Sequence, residues 1–178
     1  MNAGAGQKLD QDDFELFGLP RRFALDRAAL DARWKDMQAQ VHPDRHAAAG
    51  AATQRVAMQW SVRVNEAFRR LRDPLTRAAY LCQLHGVDVD LHDNTAKPGE
   101  FLVQQMQWRE TLDEARGAAS VEALADEVAS ERARRLAEVA STLDERRDWR
   151  AAAEQVKALM FVQRIARDVE MRLDALDD

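Results

Sequence analysis

The stretch RAALDARWKDMQAQVHPDR, Arg27 to Arg45, decides the fold. Leu30, Trp34, Met37 and Val41 recur at intervals of four, three and four, which puts them on one face of an α-helix. Asp26 stands just before the run and suits the capping position. Pro43 ends it, because the residue before a proline is pushed out of the helical region and proline has no N–H to continue the ladder. An amphipathic helix that stops at His42-Pro43-Asp44 must bury its apolar stripe against another element.

That element follows directly. Over about 53–71, Ala57, Ser61, Val64, Phe68 and Leu71 repeat the helical spacing. Asp73-Pro74 stops this helix, Pro74 suits the first position of a fourth helix running to His85, and Gly86 closes it. Upstream, Asp12 or Asp13 can start a short helix that carries Phe14 and Phe17 to Gly18-Leu19-Pro20. Residues 1–9 read as a frayed tail.

Periodicity fails between Val87 and Pro98 (VDVDLHDNTAKP), which marks residues 87–97 as a linker. Three more helices are expected at about 99–116, 121–143 and 148–176, with Ser120 as a cap for the second. Their short connections favour antiparallel packing. The expectation is an all-α chain. Residues 10–86 form a helical hairpin with short flanking helices, and 98–178 a three-helix antiparallel bundle.

Composition narrows the function. The chain has 178 residues, a net charge of −5 and no basic run, which argues against sequence-independent nucleic-acid binding. Its single cysteine, Cys82, cannot alone hold zinc or an iron–sulfur cluster and lies among Tyr80, Leu81 and Leu84, where a buried thiol is expected. No apolar stretch approaches the roughly 20 residues that span a bilayer, and no signal peptide is visible, so a cytoplasmic location is expected. His42, Asp44 and His46 do not make a metal site, because Pro43 breaks the spacing that would align the imidazoles. No nucleophile or cofactor motif accompanies them, so neither an enzyme nor a bound cofactor is expected.

What remains is a His-Pro-Asp turn between two amphipathic helices, and this resembles the J-domain family. The match runs from about Phe14 to His85 and includes Asn65-Glu66-Ala67-Phe68 and Asp73-Pro74-Leu75-Thr76-Arg77-Ala78-Ala79-Tyr80. The resemblance implies that His42, Pro43 and Asp44 contact a DnaK-type chaperone and stimulate its ATPase. Lys35, two turns before His42 on the same helical face, would add positive charge to that contact. Asp31 and Asp36 dilute that charge and point to a dedicated chaperone.

The whole chain is similar to the HscB family, J-domain co-chaperones of iron–sulfur cluster assembly. Asp13-Phe14-Glu15-Leu16-Phe17-Gly18-Leu19-Pro20, Tyr80-Leu81 through Leu84-His85-Gly86, and Phe101-Leu102-Val103 through Leu112-Asp113-Glu114 carry the likeness. It implies an HscA-like chaperone and an IscU-like scaffold protein as partners, the scaffold bound by the C-terminal domain. The family commonly has an acidic residue where Gln107 stands.

Helical geometry supports a client face. With Phe101 at zero and ~100° per residue, Phe101, Trp108, Leu112 and Ala115 share a core arc. Leu102, Val103 and Met106 fall on another arc with Glu110 and Glu114, more apolar surface than an ordinary two-sided helix needs. Phe161, off the main stripe of the last helix, joins them as an expected part of an exposed patch. The alternative is that this face packs against another part of the same protein. Arg132-Ala133-Arg134-Arg135 is expected to be a solvated face. At the level of function the alternatives are a J-domain protein with a different client, or a helical scaffold or oligomerisation protein in which the tripeptide is incidental.

Overall fold

Asp26 opens the helix that the quoted stretch requires. Its Oδ1 accepts from the N–H groups of Ala28 at 2.9 Å and Ala29 at 3.2 Å. The helix ends at Val41, just before the tripeptide. In a computed structural model of the chain, residues 10–41, 50–90 and 99–177 are described, and their regular structure is entirely helical. The elements are α1 (Asp13–Leu16), α2 (Arg27–Val41), α3 (Ala51–Arg72), α4 (Pro74–Leu84), α5 (Gly99–Glu114), α6 (Ala118–Ser141), a π-helical turn (Thr142–Arg146) and α7 (Trp149–Asp177). His42-Pro43-Asp44, His46, the tail at 1–9 and most of the expected linker lie outside the described residues.

The chain divides into two compact units between Arg77 and Ala78, inside α4 and upstream of the 87–97 stretch. In the first unit α2 packs antiparallel on α3. Leu30, Met37, Val64, Phe68 and Leu71 are buried where the spacing places them, while Trp34, Val41 and Ser61 are only partly covered. Trp34 stacks on Phe68 with ring centroids 4.6 Å apart and donates its Nε1–H to Asn65 Oδ1 at 3.1 Å. Gln38 Nε2 donates to the same oxygen. One asparagine thus fixes the register of the two helices.

Asp12 caps α1 through hydrogen bonds from Phe14 N at 2.8 Å and Glu15 N at 3.0 Å. The next residue, Asp13, is fully buried and pairs with Arg63 at 2.7 Å and Arg70 at 2.8 Å. Those two arginines are seven residues apart on α3, two turns on one face, so a single carboxylate pins α1 across the hairpin. Gly18, at φ 60°, then turns the chain away in a conformation that costs most other residues steric strain.

In the second unit α6 and α7 form a long antiparallel pair, and α5 packs on both. Phe101, Trp108, Val121, Leu124, Val128, Val162, Ile165 and Val169 make its core. α6 starts earlier than expected, at Ala118 with Gly117 as N-cap. Ser120 is not the cap; its Oγ donates back to Gly117 O at 2.8 Å, one turn inside the helix. The helix loosens into the π-helical turn where Thr142 Oγ1 donates to Glu138 O at 2.8 Å, and Arg147 at φ 53° ends it. His85 stacks on Trp149 at 3.6 Å between centroids.

Cys82 is fully buried, and burial pushes its thiol up to about 11. In the native protein it should therefore resist thiolate-specific reagents at pH 8 and react at the ordinary rate only once denatured. The folded state favours the protonated thiol, so this group supports stability below the ordinary cysteine value, and that support is lost as pH rises from there through about 11. A time course of thiol labelling with and without denaturant checks the first statement. A Cys82→Ala comparison of stability across alkaline pH checks the second.

Candidate functional site

The rotation of α5 about its axis decides which residues it offers to a partner. Trp108 is only 2% exposed, and its Nε1–H donates to Glu127 Oε1 on α6 at 2.7 Å. Phe101 meets Phe161 on α7 edge-on, with centroids 6.2 Å apart, and the Arg135 guanidinium of α6 lies 4.1 Å from the Phe101 ring centre. Aromatic contacts of this kind, with a hydrogen bond at the indole, hold α5 in one orientation.

The other arc is thereby turned outward. Val103 is 57% exposed and Met106 63%, and Leu102 is partly covered beside them. Glu110 and Glu114 are exposed further along the helix, as is Gln107. Asp113 is exposed there too, and at ~120° on the same wheel it falls between the two stripe edges. Wheel geometry alone was enough to find it. The face has an apolar first half and an acidic second half.

Phe161 does not belong to this patch. It is 8% exposed and sits in the core beside Phe101, Ala158, Val162 and Ile165. α7 is covered by α6 on one side and by α5 on another, so its buried arc is wider than the single stripe the sequence reading allowed. The basic run on α6 also divides. Arg134 is exposed and paired with Glu131 and Glu138, and its hydrogen bond holds the Glu131 carboxyl below the usual carboxylate value. Arg135 instead lies inward over Phe101, pairing with Glu131 at 2.6 Å.

On the first unit Lys35 is exposed on α2, Asp36 is exposed beside it, and Asp31 is partly covered. His42, Pro43 and Asp44 fall outside the described residues, so Lys35 is the part of this surface whose setting is visible. Among the described residues no group of three or more His, Cys, Asp or Glu side chains converges as a metal site, and no helix is long and apolar enough to cross a membrane.

A family model described as "HSCB C-terminal oligomerisation domain" matches residues 97–170. Two curated relatives, both named co-chaperone protein HscB homolog, come from Bordetella petrii and Burkholderia thailandensis. The first is 54% identical over 89% of this chain and 94% of its own length. The second is 51% identical over 95% and 98%. Among solved structures, chaperone HscB from Vibrio cholerae is 33% identical, covers 93% of this chain and 99% of its own, and superposes with a TM-score of 0.85. The human co-chaperone protein HscB, 24% identical over 96% and 93%, shares the fold with a TM-score of 0.89. With half its residues shared across nearly the full length of these relatives, the chain belongs to the HscB family of co-chaperones.

Proposed function

We propose that this co-chaperone of iron–sulfur cluster assembly holds an IscU-like scaffold protein on α5 and presents it to an HscA-like, DnaK-type chaperone through its J-domain. Residues 10–86 then act as the chaperone-facing half, 98–178 as the client-facing half and 87–97 as the linker. His42, Pro43 and Asp44 engage the chaperone with help from Lys35, whose ammonium is exposed two turns before the tripeptide. ATP hydrolysis is the chaperone's chemistry. The co-chaperone contributes contacts and no catalytic group, and works in the cytoplasm.

The observation that carries the client half is the double commitment of α5. One arc is locked into the core through Phe101 and Trp108, and the other leaves Val103 and Met106 uncovered. Large apolar side chains held outward on a rigid helix, rimmed by Glu110 and Glu114, are the usual makings of a hot spot with a charged edge. The description of the matched C-terminal domain adds self-association to this reading without naming a surface.

Replacing Leu102 and Met106 together by alanine should weaken scaffold binding by about 2 kcal/mol or more, roughly 1 per anchor, with melting almost unchanged. Phe161 is left out of that variant because its loss would unfold the core. Glu110→Lys should mainly slow association, with an effect that shrinks as salt rises. Calorimetric titration of the scaffold decides it: wild-type affinity for the double variant removes α5 as the client face.

A further inference from the structure

The outward face of α5 carries a sulfur atom whose chemistry none of these roles uses. The single thiol of the chain, Cys82, is fully buried and offers solvent no reactive cysteine. The sulfur that solvent can reach belongs to methionines. Met37 and Met160 are buried, at 7% and 8% exposure, whereas Met58, Met106 and Met171 stand open at 61%, 63% and 61%. Met58 lies on α3 in the first unit and Met171 near the C-terminal end of α7. Of these three, Met106 is the one on the face assigned to the client.

Its neighbours give that position its leverage. Residues three and four apart are adjacent on a helix, so Met106 touches the surface of Leu102 and Val103 on one side and of Arg109 and Glu110 on the other. The thioether thus sits where the apolar half of the face meets the charged half. As an apolar, flexible side chain it does there what a leucine would do. It differs from leucine in one reaction. The sulfur lone pair attacks a peroxide oxygen, the O–O bond breaks and an S–O bond forms, and the second oxygen leaves as water. Sulfur loses two electrons and the peroxide gains them. The product is a polar sulfoxide, which calls for a hydrogen bond and resists burial against apolar surface. In the free protein the sulfoxide faces water and disturbs no core contact; pressed against a client it takes the place of an apolar anchor.

We propose that Met106 is an oxidation-sensitive anchor, converted by a peroxide to its sulfoxide so that α5 lets go of the scaffold, and restored by reduction. A thiol-dependent sulfoxide reductase reverses the step, the oxygen leaving as water while two thiols join in a disulfide. The proposal deepens the client reading and rests on it, because a switch at Met106 acts only if this face holds the scaffold.

The test treats the full-length co-chaperone alone with dilute hydrogen peroxide, removes the peroxide, and titrates the scaffold calorimetrically. Peptide mass spectrometry should find one added oxygen on Met106 and none on the buried Met37 and Met160. Scaffold affinity should fall roughly tenfold, the loss of one strong anchor together with the burial of a polar group, while melting stays unchanged. Treatment with a methionine sulfoxide reductase and dithiothreitol should restore it. Met106→Leu should bind like the untreated wild type and keep its affinity after peroxide. Met106→Gln, polar and of similar length, should bind about as weakly as the oxidised protein without any treatment. Unchanged affinity of wild type oxidised at Met106, an equal loss in peroxide-treated Met106→Leu, or a Met106 that stays reduced while Met58 and Met171 are oxidised overturns the proposal. The untreated Leu102/Met106 double alanine variant keeps the two readings apart. Wild-type affinity for that variant removes the client reading and the switch with it. A weak double variant beside a sulfoxide that binds normally leaves α5 as the client face and removes the switch alone.

Discussion

Trp108→Ala is expected to lower the unfolding free energy by about 3–5 kcal/mol, the usual cost of emptying a large aromatic site in a core. The indole is 2% exposed and lies among residues from α5, α6 and α7, so no single helix can shift to close the gap. The substitution also removes the hydrogen bond that the indole N–H donates to the exposed Glu127 carboxylate at 2.7 Å. On the same helix, Met106→Ala removes a side chain that is 63% exposed and should change stability by no more than about 0.5 kcal/mol. Denaturant unfolding of the two variants side by side therefore measures the division of labour on α5. Similar losses for both would mean that the outward face is structural after all. Loss of scaffold affinity in the folded Trp108→Ala protein would show that a fixed orientation of α5 matters for recognition.

The wheel separated Trp108 from Met106 correctly because α5 packs with one arc, and a single apolar stripe reports a single packed arc. It failed for Phe161 because α7 is buried on two sides, and the second contact comes from a helix some sixty residues away in sequence that periodicity cannot sense. The same limit hid Arg135, which looks like part of a charged run yet packs over Phe101. Asp13 was legible as an acidic residue suited to a first turn, but its main role is to receive Arg63 and Arg70 from α3. Ser120 misled for a local reason, since Gly117 opens α6 three residues earlier. In each case the sequence pattern carried the elements and their inner faces, while pairings between elements required coordinates. The outward residues Val103, Met106, Glu110 and Lys35 were legible because an unpartnered residue needs no knowledge of a neighbour.

His42→Gln should reduce stimulation of the chaperone ATPase to the unstimulated rate, at least tenfold and so about 1.4 kcal/mol or more of lost productive coupling. The argument rests on where the helix ends. α2 runs to Val41 and α3 begins at Ala51, and the core between them is supplied by Leu30, Met37, Val64 and Phe68 from the two helices themselves. A proline restricts the backbone where the helical pattern stops, and the resemblance to J-domains assigns the imidazole and carboxylate on either side to the chaperone contact. Glutamine keeps hydrogen-bonding capacity and similar size but loses the ring and its protonation chemistry. Helicity and melting should therefore stay near wild type, and scaffold affinity should not change, because α5 lies in the other unit. Lys35→Ala should give a partial loss that vanishes at high salt, as expected of a rim charge that accelerates encounter. Single-turnover ATPase measurements with the cognate chaperone distinguish these outcomes. Normal stimulation by His42→Gln would remove the tripeptide from the contact, and an unfolded variant would assign His42 to the hairpin. A salt-independent defect in Lys35→Ala would mean that the lysine acts inside the contact and not at its edge.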